Sequence, residues 1–144
     1  MNLIKKTQWA ALSMLLFACQ NQAEAPKTED LNNFQFLETT IPELQEGYKN
    51  TSWSIREVIK AYSDRIEAID HSGPQLHSVI VVNPDALAIA DSLDRVAPEQ
   101  RGPLHGVPVL LKDNIDTKDQ MATTAGSRAL AGSMPLQDSE VAAQ

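Results

Sequence analysis

The chain has 144 residues, of which 12 are Lys or Arg, 19 are Asp or Glu, and 42% are hydrophobic. This size and composition suit one folded domain, and a net charge of −7 gives no general attraction to nucleic acid or anionic lipid. The single cysteine excludes an intrachain disulfide, and no Cys/His cluster has zinc-site spacing. Nucleic-acid binders, disulfide scaffolds and zinc modules are therefore disfavoured.

The N-terminus has the pattern of a targeting segment. Two lysines precede an apolar run over residues 9–18, which is about half the roughly 20 residues that a membrane-spanning helix needs. The run fits the apolar region of a secretory signal, and its end, LFAC (residues 16–19), resembles a bacterial lipobox. We therefore expect residues 1–18 to be a lipoprotein-type signal peptide and Cys19 to be the lipidated first mature residue. The alternative is an ordinary signal peptide that is cleaved near Ala18 or Ala23.

Residues 19–33 are mostly polar and cannot bury enough apolar surface to order themselves, so they are predicted to form a tether. Gln20 follows the cysteine at the position where lipoproteins retained at the inner membrane typically carry Asp. This resemblance favours the periplasmic side of the outer membrane. A lipid anchor takes its affinity from buried acyl methylenes and needs no apolar protein surface.

The predicted folded part covers residues 34–144 and begins with helices. A short helix is expected over residues 41–45. Ser54 and Glu57 form a capping box, and the apolar residues that follow, up to Ile69, lie on one helical face. This second helix is expected to end at Gly73-Pro74.

Strands are predicted at residues 76–82 and 107–111, where β-branched or apolar residues form short runs. Between them, Asn83 is expected to cap a helix with Pro84 at its first position, followed by a turn-rich connection over residues 98–103. Residues 117–133 are predicted to mix loop with a short helix, and Asp138 is predicted to cap a helix at the end. This is an α/β pattern, but two strands are too few for a sheet to cover itself, so the fold is expected to be incomplete here.

The segment with the strongest chemical signal is residues 102–133, which holds four of the six glycines. Lys112 follows an apolar run directly and precedes Asp113-Asn114. Burial at the end of a strand would disfavour its charged form and make it a usable base near neutrality. The residues alone also allow a strand that ends in a solvated lysine.

The run GVPVLLKDN (residues 106–114) resembles the lysine motif of the amidase signature family, and TTAGS (residues 123–127) matches a stretch that this family carries shortly afterwards. The resemblance extends over residues 34–144 and is greatest to bacterial peptide amidases. It implies an α/β/α fold with a mixed sheet, of which this chain holds the N-terminal portion. It also implies hydrolysis of carboxamide C–N bonds, with C-terminal peptide amides among the candidate substrates.

The resemblance implies a Ser–cis-Ser–Lys triad in which Lys112 accepts a proton from the bridging serine. Only Lys112 has a counterpart here, because the family's Gly/Ser-rich signature with both serines is not found. Ser127 and Ser133 lack that context and Ser139 is predicted to lie at a helix N-terminus. The expectation is therefore the N-terminal part of an exported, lipid-anchored amidase, and the alternative is a non-catalytic envelope lipoprotein derived from one.

Other candidate residues carry weaker signals. His71, His77 and His105 lack metal-binding spacing, and His105 is expected to make local hydrogen bonds. Asp113, Asp116 and Asp119 recur every third residue, which is compatible with a cation site but is more typical of a solvated loop. Nucleotide-binding motifs are absent, so no cofactor and no metal is predicted.

Overall fold

The computed structural model describes residues 33–144. Within that range the helices are α1 (Ile41–Lys49), α2 (Ile55–Arg65), α3 (Ala86–Asp94) and α4 (Glu140–Ala143). A π-helix (Ile66–His71) continues α2, and 3₁₀ turns cover Pro98–Gln100 and Arg128–Leu130. The predicted signal peptide, Cys19 and all but the last residue of the tether lie outside the described residues. Over residues 33–144, no helix combines the length and apolar character needed to cross a membrane.

Helices α1 and α2 both begin at capping boxes. At α2, Glu57 accepts from the Ser54 backbone N–H at 2.7 Å while the Ser54 hydroxyl accepts from the Glu57 N–H at 3.1 Å, which confirms the prediction. Thr40 and Glu43 make the same pair of bonds at α1. This second box was not predicted from the sequence, and α1 continues four residues beyond the predicted end. The bonds from Thr40 and Ser54 hold the pKa values of Glu43 and Glu57 below their ordinary range.

Two predicted helix starts were wrong by one or two residues. Helix α3 begins at Ala86 and not at Pro84, because the Asn83 side chain accepts from the Asp85 N–H at 2.9 Å and closes a turn first. Helix α4 is capped by Ser139, whose side chain accepts from the Ala142 N–H at 3.3 Å. Asp138 was predicted to cap it, but its carboxylate instead accepts from the Lys118 N–H at 2.6 Å.

The two predicted strands are not formed, and the part of the chain in residues 33–144 contains no sheet. A strand exists through backbone hydrogen bonds to a neighbouring strand. In the segment 76–82, the buried Asp70 carboxylate instead accepts from the backbone N–H groups of Ser78 (2.7 Å) and Val79 (3.0 Å). In the segment 107–111, apolar side chains face solvent: Leu110 is 78% exposed and Val109 is 66% exposed. The mixed sheet implied by the resemblance is therefore not seen in this range.

The core lies between α1, α2 and α3. Its buried residues are Phe36, Leu44, Tyr48, Ile55, Val58 and Ala90. Phe36 packs edge-on against Trp53, with ring centroids 5.3 Å apart. The Trp53 ring lies directly over Gly47, where an added Cβ would come within 2.0 Å of it, so only glycine fits in that turn of α1. The Asp94 carboxylate, at the end of α3, accepts from the backbone N–H of Ile55 at 2.8 Å and thereby joins α3 to α2.

Candidate active site

The lysine motif leaves the helical layer at a turn that is fastened by three hydrogen bonds. The Tyr48 hydroxyl donates to the Gly106 carbonyl at 2.9 Å, and the Gln45 amide donates to the His105 carbonyl at 2.9 Å. Nε2 of His105 lies 3.0 Å from the Leu93 carbonyl, and because a carbonyl only accepts, Nε2 carries the proton. His105 therefore has a structural hydrogen bond, as expected, but its partner is twelve residues away at the end of α3.

Gly106 occupies a position that no other residue would occupy without strain. Its φ is +75°, and an added Cβ would lie 2.7 Å from the side chain of the buried Ile55. The Tyr48 hydroxyl that binds its carbonyl is desolvated, and burial raises the pKa of Tyr48 to about 12. The starting point of the lysine motif is thus determined by packing against α1 and α2.

Lys112 is exposed, which differs from the predicted burial at the end of a strand. The preceding Leu111 is 44% exposed, and the layer that would cover this run is not formed by residues 33–144. Among those residues, no carboxylate lies within ion-pairing distance of the Lys112 ammonium. The desolvation predicted from the sequence is therefore not provided by the described part of the chain.

Asp113, next to Lys112, brings the two sequence motifs together. Its Oδ1 accepts from the Thr124 N–H at 2.8 Å, its Oδ2 accepts from the Thr124 hydroxyl, and its main-chain carbonyl accepts from the Ala125 N–H at 2.7 Å. Hydrogen bonds from Thr124 lower the pKa of Asp113. From the sequence, this carboxylate was considered only as a cation ligand. The signal available was that it lies eleven residues before a threonine in the second motif.

The three serines after Lys112 have backbone roles in this loop. The Ser127 N–H donates to the Thr124 carbonyl at 2.8 Å and Ser127 precedes a 3₁₀ turn, which agrees with the structural role predicted for it. The Ser133 carbonyl accepts from the Thr123 N–H at 3.0 Å, which closes the loop on itself. Ser139 caps α4.

Metal-ligand geometry is not found in the described range: across residues 33–144, no group of three His, Cys, Asp or Glu side chains could hold an ion. The three regularly spaced aspartates diverge, since Asp113 binds Thr124 whereas Asp119 accepts from the Met121 N–H at 2.7 Å. His71 binds the Val79 carbonyl at 3.2 Å and Glu67 at 3.3 Å, and these bonds raise its pKa.

A shallow apolar groove of about 200 Å³ runs beside the lysine motif. Helices α2 and α3 form its walls through Ile59 and Ile89, and Val107 to Val109 border it. The groove contains no charged side chain in its lining and lies against the run that leads to Lys112.

Comparison with known proteins identifies the family. A family model described as Amidase matches residues 57–144, which is more than half of the chain. The chain belongs to the amidase family. The solved structure of native peptide amidase from Stenotrophomonas maltophilia is 43% identical, with a TM-score of 0.67 over 73% of this chain and 22% of that one.

Two further relatives extend this family comparison. An amidase family protein from Bacillus anthracis is 31% identical, with a TM-score of 0.69 over 82% of this chain and 24% of that structure. A glutamyl-tRNA(Gln) amidotransferase polypeptide from Geobacter is 40% identical over 76% of this chain and 22% of the relative. The chain therefore spans about a fifth to a quarter of the length of the family members it matches. Its fold corresponds to the part of the amidase signature fold that carries the lysine motif.

Proposed function

We propose that Lys112 is the catalytic base of an amidase that hydrolyses carboxamide C–N bonds. The observation that carries the proposal is the pairing of the lysine motif with TTAGS: Asp113, beside Lys112, binds the backbone N–H and hydroxyl of Thr124. Two motifs that match the family in sequence are thus also adjacent in space. The family match over residues 57–144 supports the same reaction class.

The proposed mechanism uses Lys112 in its neutral form. By resemblance to the family, Lys112 takes a proton from a bridging serine, which in turn deprotonates the serine that attacks the amide carbon. Backbone N–H groups stabilise the oxyanion, the C–N bond breaks with release of ammonia or an amine, and water hydrolyses the acyl-enzyme. Neither serine has a counterpart in these 144 residues, so the complete reaction is proposed for a protein that also contains the rest of the family fold.

The fold implied by the family completes this proposal. In the whole protein, we place the apolar segments 76–82 and 107–111 as strands of the mixed sheet in an α/β/α fold. Their exposed side chains, including Ile80 at 76% and Leu110 at 78%, are the surface that such a sheet would bury. Pairing of segment 107–111 would also cover Lys112 and favour its neutral form.

The test is hydrolysis of C-terminal peptide amides by the whole natural protein, followed as ammonia release. Lys112→Ala is expected to lower kcat at least about a hundredfold, the smaller end of what a general base contributes. Lys118→Ala is the matched control, because Lys118 is an exposed lysine in the same loop. The 144-residue chain alone is expected to show no turnover. Full activity of Lys112→Ala, or turnover by the short chain, would contradict the assignment.

We also propose that the protein is exported and anchored through Cys19 at the bacterial envelope, on the periplasmic side of the outer membrane. The support is the apolar run over residues 9–18 that ends on the chain's single cysteine, followed by Gln20. Metabolic labelling with a palmitate analogue should mark the protein, and Cys19→Ala should remove the label. Export without any label would favour an ordinary signal peptide.

A further inference from the structure

The loop that carries TTAGS is held in place by one side chain. Asp113 accepts three hydrogen bonds from this loop: two from Thr124 through its carboxylate and one from the Ala125 N–H through its main-chain carbonyl. Within the loop, the Thr124 hydroxyl also accepts from the Gly126 N–H at 3.2 Å. The carboxylate of Asp113 and the hydroxyl of Thr124 are therefore the centre of the contacts between the two motifs.

The backbone of the loop needs such an anchor. Ala125 has a φ of +48° and Gly126 has a φ of +74°, so two successive residues are left-handed. Glycine adopts this conformation readily, whereas alanine does so only at a cost. A strained backbone of this kind persists where neighbouring contacts determine it, and here those contacts come from Asp113 and Thr124.

The same bonds direct the charge of the carboxylate. An aspartate directly after a lysine could pair with the ammonium, which would stabilise the protonated lysine and oppose its use as a base. Both carboxylate oxygens of Asp113 are instead engaged by Thr124. No ion pair joins them to Lys112 in the region 33–144.

The geometry points to Asp113 as a positioning residue, which with Thr124 fastens loop 123–127 beside Lys112 and directs its own carboxylate away from the Lys112 ammonium. Its relevance to catalysis rests on the proposed amidase function, whereas the fastening itself does not. Asp113 touches neither substrate nor reacting atoms and acts through the loop and the lysine.

The test of the fastening is NMR of the 144-residue chain between pH 2 and pH 7. Because hydrogen bonds from Thr124 lower the pKa of Asp113, protection of the Thr124 and Ala125 N–H groups should be full above about pH 4 and lost as the pH falls through the lowered value. The Thr124 N–H shift and the Asp113 carboxyl carbon shift should share one midpoint. Different midpoints would overturn the assignment, and this measurement needs no variant.

The variants Asp113→Asn and Thr124→Val should each speed amide exchange at Ala125 about tenfold at neutral pH, the effect of losing one hydrogen bond to a charged group. Asp116→Asn is the matched control, because the Asp116 side chain is exposed in the same loop, and it should exchange as the wild type does. Protection of the Val58 N–H in α2 reports whether each variant remains folded. Unchanged exchange at Ala125 in a folded Asp113→Asn chain would overturn the proposal.

Activity of the whole protein separates this proposal from the amidase assignment. Asp113→Asn is expected to lower kcat about tenfold with a smaller change in KM, since the loop and lysine are misplaced but substrate binding is retained. Full activity of Asp113→Asn beside an inactive Lys112→Ala would overturn only the positioning role. An inactive wild type with the shared NMR midpoint would overturn only the amidase function.

Discussion

The bond between Tyr48 and Gly106 gives the sharpest test of how α1 holds the lysine motif. Tyr48 is 7% exposed, and its hydroxyl donates to the Gly106 carbonyl at 2.9 Å. In the described part of the chain, that carbonyl accepts no other hydrogen bond. Tyr48→Phe therefore leaves a buried carbonyl without a partner while it keeps the ring that packs in the core.

The expected cost follows from what happens to the abandoned acceptor. A buried acceptor left unsatisfied costs about 1–3 kcal/mol, and we expect Tyr48→Phe to lower the free energy of unfolding by about 2 kcal/mol. The matched control is Tyr62→Phe, because the Tyr62 hydroxyl donates to the Phe36 carbonyl at 3.1 Å in a partly buried place. The Phe36 carbonyl also accepts from the Thr39 N–H at 3.3 Å, so it keeps one partner and the control should cost only about 0.5 kcal/mol.

The assay is urea unfolding of both variants and the wild type, followed by Trp53 fluorescence and repeated at alkaline pH. Burial raises the pKa of Tyr48 from 10.0 to about 12, so its contribution is complete below pH 10 and is lost as the pH rises toward 12. The difference between wild type and Tyr48→Phe should therefore shrink over that window. Equal losses for the two variants, or a difference that grows with pH, would refute the reasoning.

Three further outcomes follow from individual contacts. Gly106→Ala should lower the free energy of unfolding by at least about 2 kcal/mol in urea melts, because φ is +75° and the new Cβ would meet Ile55 at 2.7 Å; Gly102→Ala, with no atom within 4 Å, should be nearly neutral. Ser54→Ala should cost about 1 kcal/mol through loss of the α2 cap, and a melt identical to the wild type would contradict the capping role. Hydrogen bonds, first from Ser78, lower the pKa of Asp70, so the wild type should lose stability as the pH falls below about 4; Asp70→Asn should flatten that acid limb, and an unchanged limb would show that Asp70 is not responsible.

The helices could be predicted from the sequence because the interactions that form them are local. The Ser54–Glu57 capping box involves residues three apart, and the apolar face of α2 repeats at helical spacing, so neither depends on the rest of the chain. The lysine motif was recognised for a similar reason, since its residues are contiguous. Small errors arose where two local signals competed, as at Asn83, whose side chain closes a turn before α3 instead of capping it directly.

Contacts between distant segments were not predictable in this way. The Asp113–Thr124 bonds join residues 11 apart, and the Tyr48–Gly106 bond joins residues 58 apart. Polar side chains of this kind have many acceptable partners, and only the three-dimensional arrangement selects one. Sequence inspection therefore found Lys112 but assigned no role to the aspartate beside it.

The strands show the same division most clearly. Segments 76–82 and 107–111 have the composition of strands, and composition depends on the residues alone. Whether they become strands depends on a neighbour that accepts and donates backbone hydrogen bonds. In residues 33–144 the N–H groups of Ser78 and Val79 are taken by Asp70, and the side chains of segment 107–111 remain in solvent. The sequence by itself determined the helices, their caps and the lysine motif, whereas pairing and burial were decided by tertiary contacts, because a strand and a buried lysine are each completed by other parts of a fold.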